Sequence, residues 1–93
     1  MTKSLFELLE EEKWAVRKLN TALAVLHRTV KELADIDADK LTMPDAPEAY
    51  WEWRTEQLKA SIPECERKVE DARRPVEDVR KELKKYISMI MDL

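Results

Sequence analysis

The amino-acid sequence predicts an all-α fold, an antiparallel helical hairpin with three helices at about 5–36, 46–60 and 62–92. Two observations predict it. Apolar side chains recur at alternating spacings of three and four residues in both halves of the chain, as on the buried side of a helix. A capping-box pattern, in which a short oxygen-bearing side chain precedes a glutamate by three residues, occurs three times and is typical of helix starts.

The first helix is predicted from a row of apolar residues near the start of the chain. Ser4 precedes Glu7 by three residues, so each side chain can satisfy a backbone N–H that a helix start leaves unpaired. A second apolar row lies beside the first, and this width suits a bundle better than a two-stranded coiled coil. The predicted buried row is Leu5, Leu9, Glu12, Val16, Leu19, Leu23, Leu26, Val30 and Leu33, and the second row is Leu8, Ala15 and Ala22.

The segment 35–45 is predicted to be a loop. It contains Pro44 and three alternating aspartates, and such residues favour turns. The aspartates resemble the start of a calcium-binding loop. However, Lys40 stands where the turn glycine belongs and Ala46 where the bidentate glutamate belongs, so a solvated acidic loop is the preferred interpretation.

The second half of the chain carries a longer apolar row. Its members are Leu58, Ile62, Cys65, Val69, Ala72, Val76, Val79, Leu83, Tyr86, Ile90 and Leu93. Their continuity favours one helix from about residue 47, whereas Ser61 before Pro63 and Glu64 favours a new helix start. A helix from residue 47 would overhang the first helix by about 20 Å. We therefore predict a break near Ser61, with a single helix kinked at Pro63 as the alternative.

Short connections favour antiparallel packing of the two long helices. The numbers of paired residues should then sum to about 95, which places Leu33 near Ile62. Glu12 is the one polar residue of its row and would lie near Tyr86. Because an unpaired buried carboxylate is costly, we expect a hydrogen bond between these two side chains.

Length and composition limit the classes of protein that the chain can belong to. The chain of 93 residues is expected to form a single helical domain, 1–93. The absence of glycine excludes P-loop and Rossmann phosphate-binding motifs. The net charge of −3 calls for neither nucleic acid nor a membrane surface as a partner.

The single cysteine and the short apolar runs bear on the compartment. Cys65 is the only cysteine, and the longest apolar run is residues 22–26. One cysteine permits no internal disulfide and fits a reducing compartment, and a run of this length cannot span a membrane. We expect a cytoplasmic protein without a membrane segment.

Apolar residues at both ends of the chain form the first candidate site. Antiparallel pairing brings Phe6 and Leu8 close to Ile87, Met89 and Met91, and two helices alone cannot cover all five side chains. Contiguous apolar patches of this kind usually mark an interface. We therefore expect self-association as a homodimer, which would complete a helical bundle.

The second candidate site is an aromatic segment. Tyr50, Trp53 and Arg54 belong to the residue types that dominate interface hot spots, while Trp51 continues the apolar row and should pack inward. Tyr50 and Arg54 have the i,i+4 spacing of a cation–π contact. Trp14 lies on the outer side of the first helix and is a further candidate for contact with a partner. Filling one end of the bundle is an equally good interpretation of this segment.

Charged residues on the last helix suggest an alternative function. The basic residues Arg67, Arg73, Arg74, Arg80 and Lys81 are interpreted as one flank, and Glu64, Glu70, Asp71, Glu77 and Asp78 as the other. A basic flank can follow a phosphate backbone. However, the favourable i,i+4 pairs of a solvated helix and the lack of interleaved aromatic residues make nucleic-acid binding the weaker alternative.

The sequence offers little for catalysis. His27 is the only histidine, and Cys65 occupies a core position. Neither has the neighbours that a nucleophile–base pair or a metal site requires, so we expect no enzymatic activity, cofactor or metal. The predicted function is a protein–protein interaction module that self-associates and binds a partner protein, as small helical regulators, inhibitors and assembly adaptors do.

Overall fold

The computed structural model describes residues 3–92 and contains three helices. They are α1 (Leu5–Ala34), α2 (Ile36–Thr42) and α3 (Glu48–Met91). Helices α1 and α3 pack along their lengths, while α2 continues the first arm of the hairpin and contacts α3. The predicted all-α hairpin is confirmed.

The hairpin is a rod. Its principal extents are 70 × 19 × 17 Å and its radius of gyration is 20.6 Å, whereas a compact domain of 100 residues has a radius of gyration of about 13 Å. Two helices side by side cannot enclose a core, so each helix packs with one side on its neighbour. The remaining sides of both helices face solvent.

Helix α1 begins as predicted. The Ser4 hydroxyl accepts a hydrogen bond of 3.1 Å from the backbone N–H of Glu7. This bond satisfies one of the four N–H groups that a helix start leaves without a partner.

The predicted break near Ser61 is wrong, because α3 continues through it. The Ser61 hydroxyl does not cap a helix but donates to the carbonyl oxygen of Gln57 at 2.8 Å. Asp45 precedes Glu48 by three residues and gives the third capping-box pattern, but it does not cap the helix start, since Pro47 is the N-cap residue and α3 has no side-chain cap bond. The single helix of the alternative is confirmed, and its kink at Pro63 stays a prediction.

The predicted loop at 35–45 is also wrong over most of its length, because residues Ile36–Thr42 form α2. Ile36 continues the apolar spacing three residues after Leu33 and is buried against Trp51 and Leu58 of α3. The aspartates around it stay exposed, and acidic residues in a first turn suit the helix dipole. Helix α2 lengthens the first arm, so the first turns of α3 do not overhang.

The buried side of α1 is rotated by about 50° from the predicted one, since both rows contain Leu5, Glu12, Leu19, Leu26 and Leu33 and differ only in the neighbouring positions. Leu8 and Ala15 are buried, while Leu9, Leu23 and Val30 of the predicted row are 49%, 41% and 46% exposed. The row that faces α3 has its own heptad spacing and continues into α2: Leu5, Leu8, Glu12, Ala15, Leu19, Ala22, Leu26, Thr29, Leu33 and Ile36. The next position of this row is Ile36, which is buried against α3, whereas the next position of the predicted row is the exposed Asp37. Burial of Ile36 therefore fixes the end of the first arm on α3.

The antiparallel register agrees with the prediction to within one helical turn. The Thr29 hydroxyl lies 4.0 Å from the sulfur of Cys65, and Arg80 Nε donates to a carboxylate oxygen of Glu12 at 3.1 Å. The expected bond between Glu12 and Tyr86 is therefore replaced by an ion pair. Arginine supplies this bond because it reaches the carboxylate from the exposed edge of the helix pair, where both groups keep water contact.

Replacing Pro63 with alanine should stabilise the hairpin. Pro63 lies inside α3 and is exposed, and proline in a helix interior costs up to about 3 kcal/mol relative to alanine because it lacks an N–H and crowds the preceding turn. Urea unfolding followed by circular dichroism should show a higher midpoint for Pro63→Ala. If a new helix began at Ser61, Pro63 would lie in its first turn, where proline carries no such cost. An unchanged urea midpoint would therefore contradict the continuous helix.

Candidate interaction surfaces

The aromatic cluster of Tyr50, Trp51 and Trp53 lies near the start of α3. Trp51 is 5% exposed and packs inward as predicted, whereas Tyr50 and Trp53 are 40% and 54% exposed. The ring of Tyr50 meets Trp51 edge-on at 5.0 Å and Trp53 at 6.3 Å. Tyr50 thus contacts both the buried Trp51 and the exposed Trp53, and all three rings lie on one helix, which limits the side-chain entropy lost when a partner binds.

Arg54 is held by α1 rather than by its aromatic neighbour. Its guanidinium donates to a carboxylate oxygen of Glu32 at 2.9 Å. The expected cation–π contact with Tyr50 is replaced by this ion pair, because antiparallel packing brings Glu32 beside the seventh residue of α3. Arg54 remains half-buried at the edge of the aromatic cluster.

Trp14 lies on the side of α1 that carries Lys18, beside Pro75 of α3. Its ring is 56% exposed, and the guanidinium of Arg17 sits 5.2 Å from the ring centroid. The structure does not bring Trp14 together with the aromatic cluster, whose anchor Trp51 packs against α2.

Four of the five residues predicted to form an apolar end are exposed. Phe6, Ile87, Met89 and Met91 have 71%, 54%, 70% and 79% of their surfaces accessible. We call these four residues the apolar end. Leu8 does not belong to it, because it is only 3% exposed and belongs to the core between α1 and α3.

Part of the apolar row of α1 that the sequence predicts to be buried lies outside the core. It consists of Leu9, Val16, Leu23 and Val30, which follow one another at seven-residue spacing. Val16 is half-buried and the other three are exposed. We call these residues the α1 stripe. Their spacing was visible in the sequence, but which of two neighbouring apolar rows faces α3 depends on packing.

Two grooves between the helices define two faces of the hairpin. Leu9, Arg80 and Ile87 line one groove, and the face that carries it is called the Leu9 face. Lys18 and Pro75 line a groove on the opposite side. The α1 stripe lies on the Leu9 face, because its members follow Leu9 at intervals of seven residues.

Charges on α3 alternate around the helix instead of forming one basic and one acidic flank. At 3.6 residues per turn, Glu70 and Glu77 lie between a row with Arg73 and Arg80 and a row with Arg67, Arg74 and Lys81. Among the ion pairs within α3, Glu64 contacts Lys68 at 3.7 Å and Glu70 contacts Arg73 at 3.5 Å. The predicted flanks are therefore wrong, and the basic rows are separated by carboxylates.

Within residues 3–92, no charged or polar side chain is buried, and no group of three metal-binding side chains converges. Hydrogen bonding to Glu11 raises the pKa of the exposed Lys3 ammonium. None of the three helices, over the residues described, combines the length and apolarity needed to cross a membrane.

Comparison with models of protein families, with curated proteins and with solved structures finds no match for this chain.

Proposed function

We propose that this hairpin is a non-enzymatic protein–protein interaction module that self-associates and binds a partner protein through the aromatic cluster. The observation that carries the proposal is the amount of large apolar side chain left uncovered on a rigid two-helix rod. The exposed residues include the apolar end, most of the α1 stripe, Tyr50 and Trp53. Apolar patches of this extent on a folded protein usually mark interaction surfaces.

The uncovered residues fall into two groups that suit two different tasks. The α1 stripe is aliphatic and runs along α1, and the apolar end adds Phe6 of α1 and the methionine-rich last turns of α3. Surfaces of this kind suit packing against another helix. Tyr50 and Trp53 are rigid amphipathic rings at the other end of the rod, near the connection between the arms. Exposed Trp and Tyr next to an arginine are typical of the centre of a binding site for another protein. We assign self-association to the first group and partner binding to the second.

The double substitution Tyr50→Ala with Trp53→Ala should abolish capture of the partner protein. The wild-type chain on a resin should retain a specific protein from a lysate of its own source, and the variant should lose it, since truncating one aromatic hot spot to alanine usually costs about 2 kcal/mol or more of binding free energy. Because both side chains are exposed, the helical content should not change.

Trp14→Ala is the matched control, because it also removes an exposed tryptophan but leaves the aromatic cluster intact. It should retain the partner. Equal retention by the wild type and the double variant, or equal loss in the control, would contradict the assignment of partner binding to Tyr50 and Trp53.

A further inference from the structure

We propose that the Leu9 face binds a second copy of the chain about a twofold axis, with the two α1 helices antiparallel and the two α3 helices antiparallel. This inference rests on the proposed self-association and specifies its surface and geometry. The axis passes midway between Val16 and Leu23 on α1 and crosses α3 at the level of Pro75, whose own side chain lies on the opposite face.

The α1 stripe is symmetric under such an axis. Reversing α1 end for end about the midpoint between Val16 and Leu23 places these two residues opposite each other and Leu9 opposite Val30. Each contact then joins one leucine to one valine, so the two stripes form a continuous apolar line of uniform width. Heptad-spaced apolar residues of this kind pack well between antiparallel helices.

The charges of α3 on the same face are complementary under a corresponding reversal. Helical spacing places eight residues of α3 between Pro63 and Ile87 on the Leu9 face, namely Pro63, Glu66, Glu70, Arg73, Glu77, Arg80, Lys84 and Ile87. Reversal about Pro75 sets opposite charges against each other in every case: Glu66 against Lys84, Glu70 against Arg80, and Arg73 against Glu77. The two remaining residues, Pro63 and Ile87, also meet, and both are apolar.

The two symmetry centres lie at nearly the same level of the folded hairpin, although they come from different helices and from different kinds of side chain. Two contacts that cross the hairpin on either side of this level set the register: Thr29 with Cys65, whose numbers sum to 94, and Glu12 with Arg80, whose numbers sum to 92. Pro75 therefore lies level with residues 17–19 of α1, and the midpoint of the α1 stripe lies between residues 19 and 20. The difference is less than one helical turn of about 5.4 Å, so one axis can serve both helices.

The size of the face and the state of its charges allow such a contact. The rod is 70 Å long and at least 17 Å wide, which exceeds the roughly 800 Å² per partner of a standard interface. Arg73 and Arg80 already contact Glu70 and Glu12 in their own chain. Both arginines remain 50% exposed or more, and a guanidinium has five N–H groups, so each can also reach a carboxylate of the second copy.

The double substitution Val16→Glu with Leu23→Glu tests the surface. These residues meet at the axis, so the variant brings four carboxylates together in the dimer, and its dissociation constant in sedimentation equilibrium should rise about a hundredfold or more. Val25→Glu is the control, since Val25 lies on the opposite face beside Lys68, and it should dimerise like the wild type. Circular dichroism verifies that all three chains remain helical. A double variant that is helical and still dimeric overturns the Leu9 face while leaving self-association intact.

Glu66→Lys and Lys84→Glu test the antiparallel geometry. These residues lie about 27 Å apart on α3 at 1.5 Å per residue, so they cannot pair within one chain. In a dimer of either variant alone, residues 66 and 84 of the two copies carry the same charge and repel each other at both symmetric positions. In a mixed dimer, the two lysines of one copy face the two glutamates of the other. Native mass spectrometry of the mixture should show mixed dimers in about tenfold excess over the statistical ratio at low salt. A statistical ratio overturns the twofold geometry, and chains that are monomeric throughout overturn the proposed self-association as well.

Discussion

Trp51→Ala should lower the free energy of unfolding by about 3–5 kcal/mol, the usual cost of removing a buried tryptophan. Trp51 is 5% exposed and packs with Ile36 and Leu58 at the end of the hairpin. It is the largest side chain of that cluster, so its loss leaves a cavity that neither neighbour can fill. Since small domains are stable by only about 5–15 kcal/mol, the variant should be partly unfolded at moderate temperature.

Trp53→Ala provides the matched control for this experiment. Trp53 is two residues further along α3 and 54% exposed, so its removal should change the free energy of unfolding by less than about 1 kcal/mol. Urea titrations followed by circular dichroism measure both variants at low protein concentration. Similar losses in the two variants would mean that Trp51 does not form the core of this end.

Leu8→Ala should cost about 2–5 kcal/mol, whereas Leu9→Ala should cost less than about 1 kcal/mol. Leu8 is 3% exposed and Leu9 is 49% exposed. The two residues are neighbours with the same side chain in the same helix, so helix propensity cannot account for the difference. Thermal unfolding at concentrations too low for self-association compares them directly. A larger loss for Leu9→Ala would show that α1 faces α3 with the row predicted from the sequence.

The sequence predicts the all-α class and the two long helical segments because these depend on local spacing, and the short connection between them predicts the antiparallel register. The apolar row of α3 is unique, and most of it, from Leu58 to Tyr86, is buried or half-buried as predicted. Helix α1 offers two adjacent apolar rows, and spacing alone cannot decide between them. The choice depends on Ile36, which continues the heptad of the row that faces α3. The aspartates around Ile36 are typical of a loop, so the sequence predicts a loop where α2 forms.

The capping patterns show a related limit. The pattern at Ser4 caps a helix, while the identical pattern at Ser61 lies inside one. At Ser61 the packed apolar row on both sides outweighs the local preference for a helix start. The exposed residues Tyr50, Trp53, Phe6 and Met91 were predictable because they fall off the apolar rows. The α1 stripe was not, since its exposure follows from the choice that packing makes between two rows.

Sedimentation equilibrium of the wild-type chain over a wide concentration range tests the central claim most directly, namely that the uncovered apolar surface binds a second copy. The chain has a mass of 11.0 kDa. The observed mass should rise with concentration and reach a plateau at twice that value. A mass that stays at 11.0 kDa up to about 1 mM, where even weak association becomes visible, would contradict the claim.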